Sequence, residues 1–516
     1  MNENSSTSHD LKSVNRRISS EIERFVGRYS IGRDGEPLNE RASSHFLRIK
    51  VPGGRLTADQ LLGIADLAQK YGRGRGEVTD RQDVQLHWIE AENALEIFQR
   101  MGELGFTTDM CGQGFSGARY GDVRNIVCCP VSGIGKGELI DPYPLVKKLT
   151  NFFTGNRDFL DMPRKFKIAV SGCGSDCTRV EVNDLGLVAV KKDGEIGFTM
   201  MVGGSVGASL PGPKLAEPTF AFIKPEDAFE VVVASVEIHR DYGSRESKAK
   251  ARFKWLINEW GVKKFLSVLE EKTGRKMEEY NGRLFLNEDD HRGVQPQNRR
   301  GYYYVHIPLL GGLLTAYDMI NLAEVAKEYG NGELRLTPQQ NIIVPNIKDK
   351  DAATRKLKRL GFQLHGSSLR WNSIGCASDF CGKTKEPHAK DAVKSVVERL
   401  ETRFDHGLLN AAAVKVHVSG CPNDCCAART AVVGLHGKLF KEGVELKQHY
   451  SLLLGGDPSK SKLARQVVEK ASLEDLKNGL EALLKKYLRL KRNRETLAEF
   501  CNRHTIEVLK SYLDGG

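Results

Sequence analysis

Nowhere does this chain stay apolar for anything near the roughly 20 residues that a helix needs to cross a bilayer. Its first ten residues, Met1 to Asp10, hold neither an apolar run nor an arginine. A spanning helix, a secretory signal and a typical transit peptide are therefore not expected, and a reducing, cytoplasmic setting is the default. Disulfides suit that setting poorly, and the 11 cysteines are an odd number. A flavin or nicotinamide fingerprint is also missing. The one basic, Gly-rich turn, Gly72-Arg-Gly74-Arg-Gly76, has neither the G-x-G-x-x-G spacing nor a strand-to-helix setting and reads as a connector. Charge of one sign is in mild excess only. Lys plus Arg exceed Asp plus Glu by 77 to 66 over 516 residues, a net +11 that falls short of a nucleic-acid signature and suits small anions or an acidic protein partner.

What the chain does have is bulk. With 40% apolar and 28% charged residues it belongs among soluble globular proteins and is long enough for three domain-sized cores. Its most informative stretch is the pair Cys376-Ala-Ser-Asp-Phe-Cys381 followed by Ser419-Gly-Cys421-Pro-Asn-Asp-Cys425. Two tight cysteine pairs can converge on one metal site, and four thiolates are the usual requirement of an iron-sulfur cluster. The alternatives are structural zinc, whose ribbons favour C-x2-C knuckles over the C-x4-C and C-x3-C found here, and a set of unrelated buried thiols.

Residues 1–40 read as a polar N-terminal arm with a short helix around Ile18 to Val26. His45 to Val51 reads as a strand closed by Pro52-Gly-Gly54, and Thr57 as the N-cap of a helix carrying Leu61, Ile64, Ala65 and Ala68 on one face. Val84 to Ile89 is a second strand and Ala94 to Leu104 a second helix, a compact α+β unit. The unit recurs: Gly53-Gly54, Leu56-Thr57-Ala58, Tyr71-Gly72 and Thr79 come back as Gly311-Gly312, Leu314-Thr315-Ala316, Tyr329-Gly330 and Thr337, each 258 positions later. The duplication continues at an offset of 248, where Lys167 to Cys177 matches Lys415 to Cys425. Cys128 lies 45 residues before Cys173, as Cys376 lies 45 before Cys421, which leaves Gly133 at the position of Cys381. Unless Cys129 or Cys111 substitutes, the first copy is a degenerate one, with Cys173 and Cys177 as small buried residues. Two helices, Leu473 to Leu490 behind a Ser472/Asp475 capping box and Arg494 to Leu513, close the chain as a packing layer.

Ser419 to Cys425, the preceding cysteine pair, Leu334 to Asn341, Tyr120 to Asn125 and Met162 to Lys167 together resemble the siroheme-containing sulfite and nitrite reductases, in order and over nearly the whole chain from about Phe46 to the 430s. The resemblance implies a pseudo-twofold duplicated, three-domain α+β and α/β fold with ferredoxin-like half-domains. Residues 41–110 plus 300–365 would form the duplicated ferredoxin-like domain. Residues 111–299 would form the first α/β lobe, without complete cluster ligands, and 366–516 the second lobe with the cluster and the C-terminal helices. It also implies one siroheme and one 4Fe-4S cluster, held by Cys376, Cys381, Cys421 and Cys425, with Cys425 shared between cluster and siroheme iron. One departure is the C-x4-C first pair, since the family pattern is C-x5-C and Gly375 stands where the earlier cysteine would fall.

By the same resemblance Arg48, Arg124, Lys165 and Lys167 match the anion-binding, catalytic positions. Thr79, Arg81, Gln85, His87, Gln340 and Asn423, with Cys425, match positions that contact the macrocycle. The run Arg245, Lys248, Lys250, Arg252 and Lys254 reads either as further macrocycle contacts or as an ordinary charged helix face. A small oxyanion reduced at one iron needs fixed positive charge and proton donors, and siroheme brings eight carboxylates to be met by basic residues. The resemblance implies sulfite from Lys at position 167, where plant-type nitrite reductases tend to have Asn, and a second cation suits sulfite as the more highly charged anion. Electrons must come from outside the chain, from a ferredoxin or a flavoprotein, with no nucleic acid or membrane involved. The competing class is a zinc-stabilised basic binding protein without catalysis.

Overall fold

The computed structural model describes residues 31–33, 45–109, 121–285, 291–378 and 388–515. Cys111, Cys381 and the helix expected at Ile18 to Val26 lie outside the described residues. The duplicated α+β units form as the sequence pattern indicates, through the same local devices twice. Thr57 caps the helix Ala58–Tyr71, its Oγ1 accepting the Gln60 N–H at 3.1 Å while Gln60 Oε1 accepts the Thr57 N–H at 2.9 Å. Thr315 and Asp318 repeat this box for Ala316–Tyr329, at 3.0 and 2.8 Å. Each box satisfies donors that a helix start leaves unpaired.

The two units are interlocked rather than merely adjacent. In the first sheet, Ile31–Arg33, His45–Lys50, Val84–Ile89 and Arg75–Val78 are followed by Leu313–Thr315 from the second unit. In the other sheet, Val294–Pro296, Tyr303–Ile307, Ile342–Ile347 and Glu333–Leu336 are followed by Arg55–Thr57 from the first. Leu61 and Ile64 accordingly share one apolar core with Met319 and Leu322. Gly54 and Gly312 permit the exchange. Both have positive φ, +73° and +70°, and a Cβ on either would come 2.5 Å from a carbonyl oxygen, that of Leu336 or of Val78.

Each of the two remaining lobes has its own core and the same topology. In the first, Val127–Cys128, Ile168–Ser171 and Leu185–Lys192 run parallel, and Glu195–Val202, Glu217–Ile223 and Glu278–Glu279 continue the sheet antiparallel. In the second, Ile374–Gly375, Val416–Ser419 and Val433–Glu442 are parallel, with Glu445–Leu454 and Arg465–Ala471 antiparallel beyond them. Cys173 and Cys421 stand just past the carboxyl ends of their parallel strands, where open α/β sheets place ligands.

Strand register corrects one pairing taken from spacing. Cys128 sits opposite Val170, and it is Gly375 that sits opposite Val418. One residue on, the Cys129 N–H donates to the Val170 carbonyl at 3.2 Å and the Cys376 N–H to the Val418 carbonyl at 3.1 Å. Cys129, not Cys128, is the counterpart of Cys376. The segments joining the two parallel strands differ by one residue in length, so equal spacing counted in sequence pairs the wrong thiol. Further along, the capped helix Leu473–Leu490 forms as expected, but Arg494 to Leu513 is two helices, Leu497–Arg503 and Ile506–Leu513, because His504 is extended and Thr505 caps afresh. The basic run at 245–254 is not a helix face, since its helix begins only at Phe253.

Candidate active site

A cleft opens where the three domains meet. The ferredoxin-like domain contributes Asp80 and Arg81, the first lobe Lys165, Lys167, Arg179, Asn183 and Arg252, and the second lobe Asn423, Asp424 and Cys425. Five of the residues singled out from the sequence, Arg81, Lys165, Lys167, Asn423 and Cys425, thus line one cavity.

Strand alternation aims the lysines. Phe166 is fully buried against Phe253 and His239, with ring centroids 5.1 and 5.3 Å away, which leaves Lys165 and Lys167 on the opposite side, half-buried over the cleft. They are not an exposed edge. Burial, reinforced by Lys167, pushes the Lys165 ammonium down to about 7. Burial lowers Lys167 too, against the opposing pull of Asp80. An anion in the cleft would offset that desolvation.

The loop carrying Asn423 and Cys425 is wound around Asp424. Its Oδ1 accepts the Ser419 hydroxyl at 2.9 Å and the Ala428 N–H at 2.6 Å, and His436 Nε2 lies 3.1 Å away. Burial opposes that carboxylate, but His436 and these donors win and hold Asp424 below the usual carboxylate range. Gly207 closes the loop from the first lobe, where a Cβ would come 2.7 Å from the Asn423 carbonyl oxygen. Lys254 braces the Gly207 segment by donating to the carbonyls of Ser205, Gly207 and Gly212 at 3.1, 2.9 and 2.5 Å, a positioning task rather than contact with a ligand. Cys425 opens into the cleft although protein surrounds it, and Cys376 and Cys421 are half-buried behind it. Cys376 Sγ accepts the Gly420 N–H at 3.1 Å, a bond that favours thiolate.

The remaining predicted residues form a polar layer on the ferredoxin-like side. Arg48 donates to Gln85 Oε1 at 3.1 and 3.2 Å, Gln85 Nε2 lies 3.1 Å from His87 Nε2, and His87 is 3.3 Å from Glu77, which also pairs with Lys390 at 3.6 Å. Arg124 pairs with Asp122 at 3.3 Å, and Lys50, far from being a solvated-face charge, is buried against Asp109 at 3.0 Å. The Thr79 hydroxyl accepts the N–H groups of Arg81 and Asp83 at 3.3 and 3.1 Å, fixing the turn that aims Arg81. Gln340 spends both ends of its amide on Gly375, at 2.8 and 3.1 Å, and so sets the residue before Cys376.

Sequence reasoning passed over Arg179. It follows Cys177 where the second copy has Ala427, and that basic-for-alanine difference was the available signal. Its Nη2 donates to the Cys426 carbonyl at 3.1 Å, tying the lobes together across the cleft. Arg252, noted only within a run, holds Asp184 at 3.0 Å through both carboxylate oxygens.

The cavity fits a polyanionic macrocycle. Among the lining residues the cations Arg81, Lys165, Lys167, Arg179 and Arg252 outnumber the acids Asp80 and Asp424, with Asp184 holding Arg252, and the Nε atoms of Arg81 and Arg252 and the Thr178 hydroxyl are buried without a hydrogen-bond partner. Siroheme carboxylates would meet these donors. Cys376, Cys421 and Cys425 offer the soft donors of a cluster; Cys381 lies outside the described residues.

Comparison with known proteins agrees. The family model described as nitrite and sulphite reductase 4Fe-4S domain matches residues 120–277, and the nitrite/sulfite reductase ferredoxin-like half domain matches 39–104 and 295–355. The ferredoxin–nitrite reductase of Leptolyngbya laminosa is 31% identical over 451 residues, 85% of this chain and 86% of that protein. A ferredoxin sulfite reductase of Mycolicibacterium paratuberculosis is 29% identical over 478 residues, 89% of this chain and 82% of its own length. The structure of Mycobacterium tuberculosis NirA superposes with a TM-score of 0.84 at 25% identity, covering 98% of each chain. This chain therefore belongs to the nitrite and sulfite reductase family, oxidoreductases that reduce a small oxyanion with siroheme and a 4Fe-4S cluster.

Proposed function

We propose that the anion is sulfite, reduced by six electrons to sulfide, and that the electrons arrive from a ferredoxin. The observation that carries the choice is the pair Lys165 and Lys167, both half-buried and both on the cleft that Cys425 opens into. Two cations at one small site suit a dianion better than a singly charged one, because the second ammonium repays its desolvation only against the second charge. Relatives named for nitrite and for sulfite both match, so nitrite to ammonia is the alternative reading.

Siroheme and the cluster supply the site of reduction and the electrons. The 4Fe-4S cluster is assigned to Cys376, Cys421, Cys425 and Cys381. Lys165 and Lys167, with Arg124 and Arg48 behind them, hold the anion, and a lysine ammonium titrating near neutrality can hand over a proton as each oxygen leaves as water. Arg81, Arg179, Arg252 and Asn423 hold the macrocycle's carboxylates. The name ferredoxin in both relatives supports that donor, as does the net charge of +11.

The test is Lys167→Asn, assayed with both anions on fully loaded enzyme. We expect kcat/KM for sulfite to fall about tenfold or more, roughly 1.4 kcal/mol of transition-state stabilisation, with a smaller change for nitrite. An unchanged ratio of the two would overturn the sulfite assignment.

A further inference from the structure

We infer that the first lobe carries a metal centre of its own, a closed, mononuclear zinc site made by Cys129, Cys173, Cys177 and His291. It lies apart from the cleft lining and serves no step of the reaction above. The four side chains are buried, and their ligand atoms all lie within 4.8 Å of one another. Cys173 Sγ is 3.5 Å from Cys177 Sγ and 3.6 Å from His291 Nε2, and Cys129 Sγ is 3.8 Å from His291 Nε2.

Those separations identify the guest. Bonds of about 2.3 Å to sulfur and about 2.0 Å to nitrogen put the corners of a zinc tetrahedron roughly 3.5 to 3.8 Å apart. A four-iron cluster binds each ligand on a different iron and spreads the donors to roughly 6 Å. The first lobe's ligands are therefore gathered around one ion, although the matching family model is described as a 4Fe-4S domain. Four buried protein donors with no open position describe a structural site.

Register explains how the site arose. Cys129, Cys173 and Cys177 are the counterparts of Cys376, Cys421 and Cys425, while Ile134 stands five residues after Cys129, where Cys381 follows Cys376. The fourth donor comes instead from the segment leading into the second ferredoxin-like unit. His291 reaches it with a positive φ of 58°, and His306 Nδ1 holds its carbonyl at 2.9 Å. Ser175 Oγ, 2.9 Å from Cys173 Sγ, supplies the outer-sphere contact that sulfur ligands commonly have. Tyr304 and Ile343 of the second unit pack on the same thiols, and Gln339 Nε2 donates to the Cys177 carbonyl at 3.2 Å. The ion thus staples the first lobe to the second half of the ferredoxin-like domain.

The experiment is metal analysis and zinc-edge X-ray absorption on the purified holoenzyme, repeated on Cys129→Ser and His291→Ala. We expect about one zinc per chain beside about five irons, with three sulfur neighbours at about 2.3 Å and one nitrogen at about 2.0 Å. Both variants should lose most of the zinc and several degrees of melting temperature while keeping the siroheme absorption. Holoenzyme without zinc overturns the proposal, whether the extra metal is absent, a single iron or a second cluster of about four irons. Zinc that survives both substitutions overturns it as well. A missing siroheme band would instead count against the proposed reaction, so the two failures are separable.

Discussion

At the scale of single residues, Lys165 is the group whose ionisation decides most. Its proton affinity is lowered from an ordinary lysine value to about 7 by burial and by Lys167. Between pH 7 and the unfolded lysine range the unfolded chain binds the extra proton, so this residue makes the cofactor-free fold more stable as pH rises through that window. Anion binding runs the other way, since only the ammonium attracts the ligand. Nitrite, which does not titrate near neutrality, should bind the holoenzyme progressively more weakly as pH rises above 7. Lys165→Arg should shift that limb upward, because a guanidinium stays charged. A binding titration followed in the siroheme absorption checks both; a flat profile would remove Lys165 from anion binding. The sequence made these lysines legible, because Phe166 between them alternates like a strand. Their partial burial was not legible, as it depends on where a second lobe packs. The difference between Cys128 and Cys129 was illegible for a related reason: a one-residue change in a connecting segment is visible only in strand register.

Among the elements, the paired glutamines Gln82 and Gln340 do the same work in both copies. Gln82 accepts the Cys128 N–H at 2.8 Å and donates to its carbonyl at 3.0 Å, as Gln340 does for Gly375. Each clamps the end of a short parallel strand immediately before a proposed metal ligand, Cys129 or Cys376. Gln340→Ala leaves a buried N–H and carbonyl unsatisfied, at a cost of about 1 to 3 kcal/mol. We expect it to lower the melting temperature and to loosen Cys376, measured as loss of cluster iron; Gln82→Ala should destabilise comparably with cluster iron retained. The Leu334 to Asn341 motif placed Gln340 near the cofactors, but its role as a clamp on backbone could not be read from residue identity. The caps Thr57, Thr315 and Ser472 were readable, since each acts within three residues of itself, whereas Thr505 was hidden inside a stretch that reads as one helix.

On the scale of the whole molecule, function depends on three domains meeting. Arg81, Lys167 and Asn423 belong to different domains and face each other only in the folded chain, so their convergence was accessible to sequence reading through family resemblance alone. Among the described residues no helix is long and apolar enough to cross a membrane. A chain of net charge +11 should meet a ferredoxin partly through long-range attraction. Raising salt from about 0.05 to 0.5 M, which shortens screening to a few ångströms, should raise KM for ferredoxin severalfold and leave reduction by a small dye unaffected. Equal salt sensitivity with both reductants would remove charge steering from the encounter.

The exchanged strands bear on how the protein is made. Leu56 finds its partner Leu334 only after the intervening first lobe has been synthesised, so this pairing has a large loop-closure cost and comes late. The first lobe, with a core of its own, can mature on the ribosome while residues 45–109 wait with an unfilled sheet edge. The first lobe is then complete before the ferredoxin-like domain that begins ahead of it in sequence, and the cleft becomes available to its cofactors only at the last step.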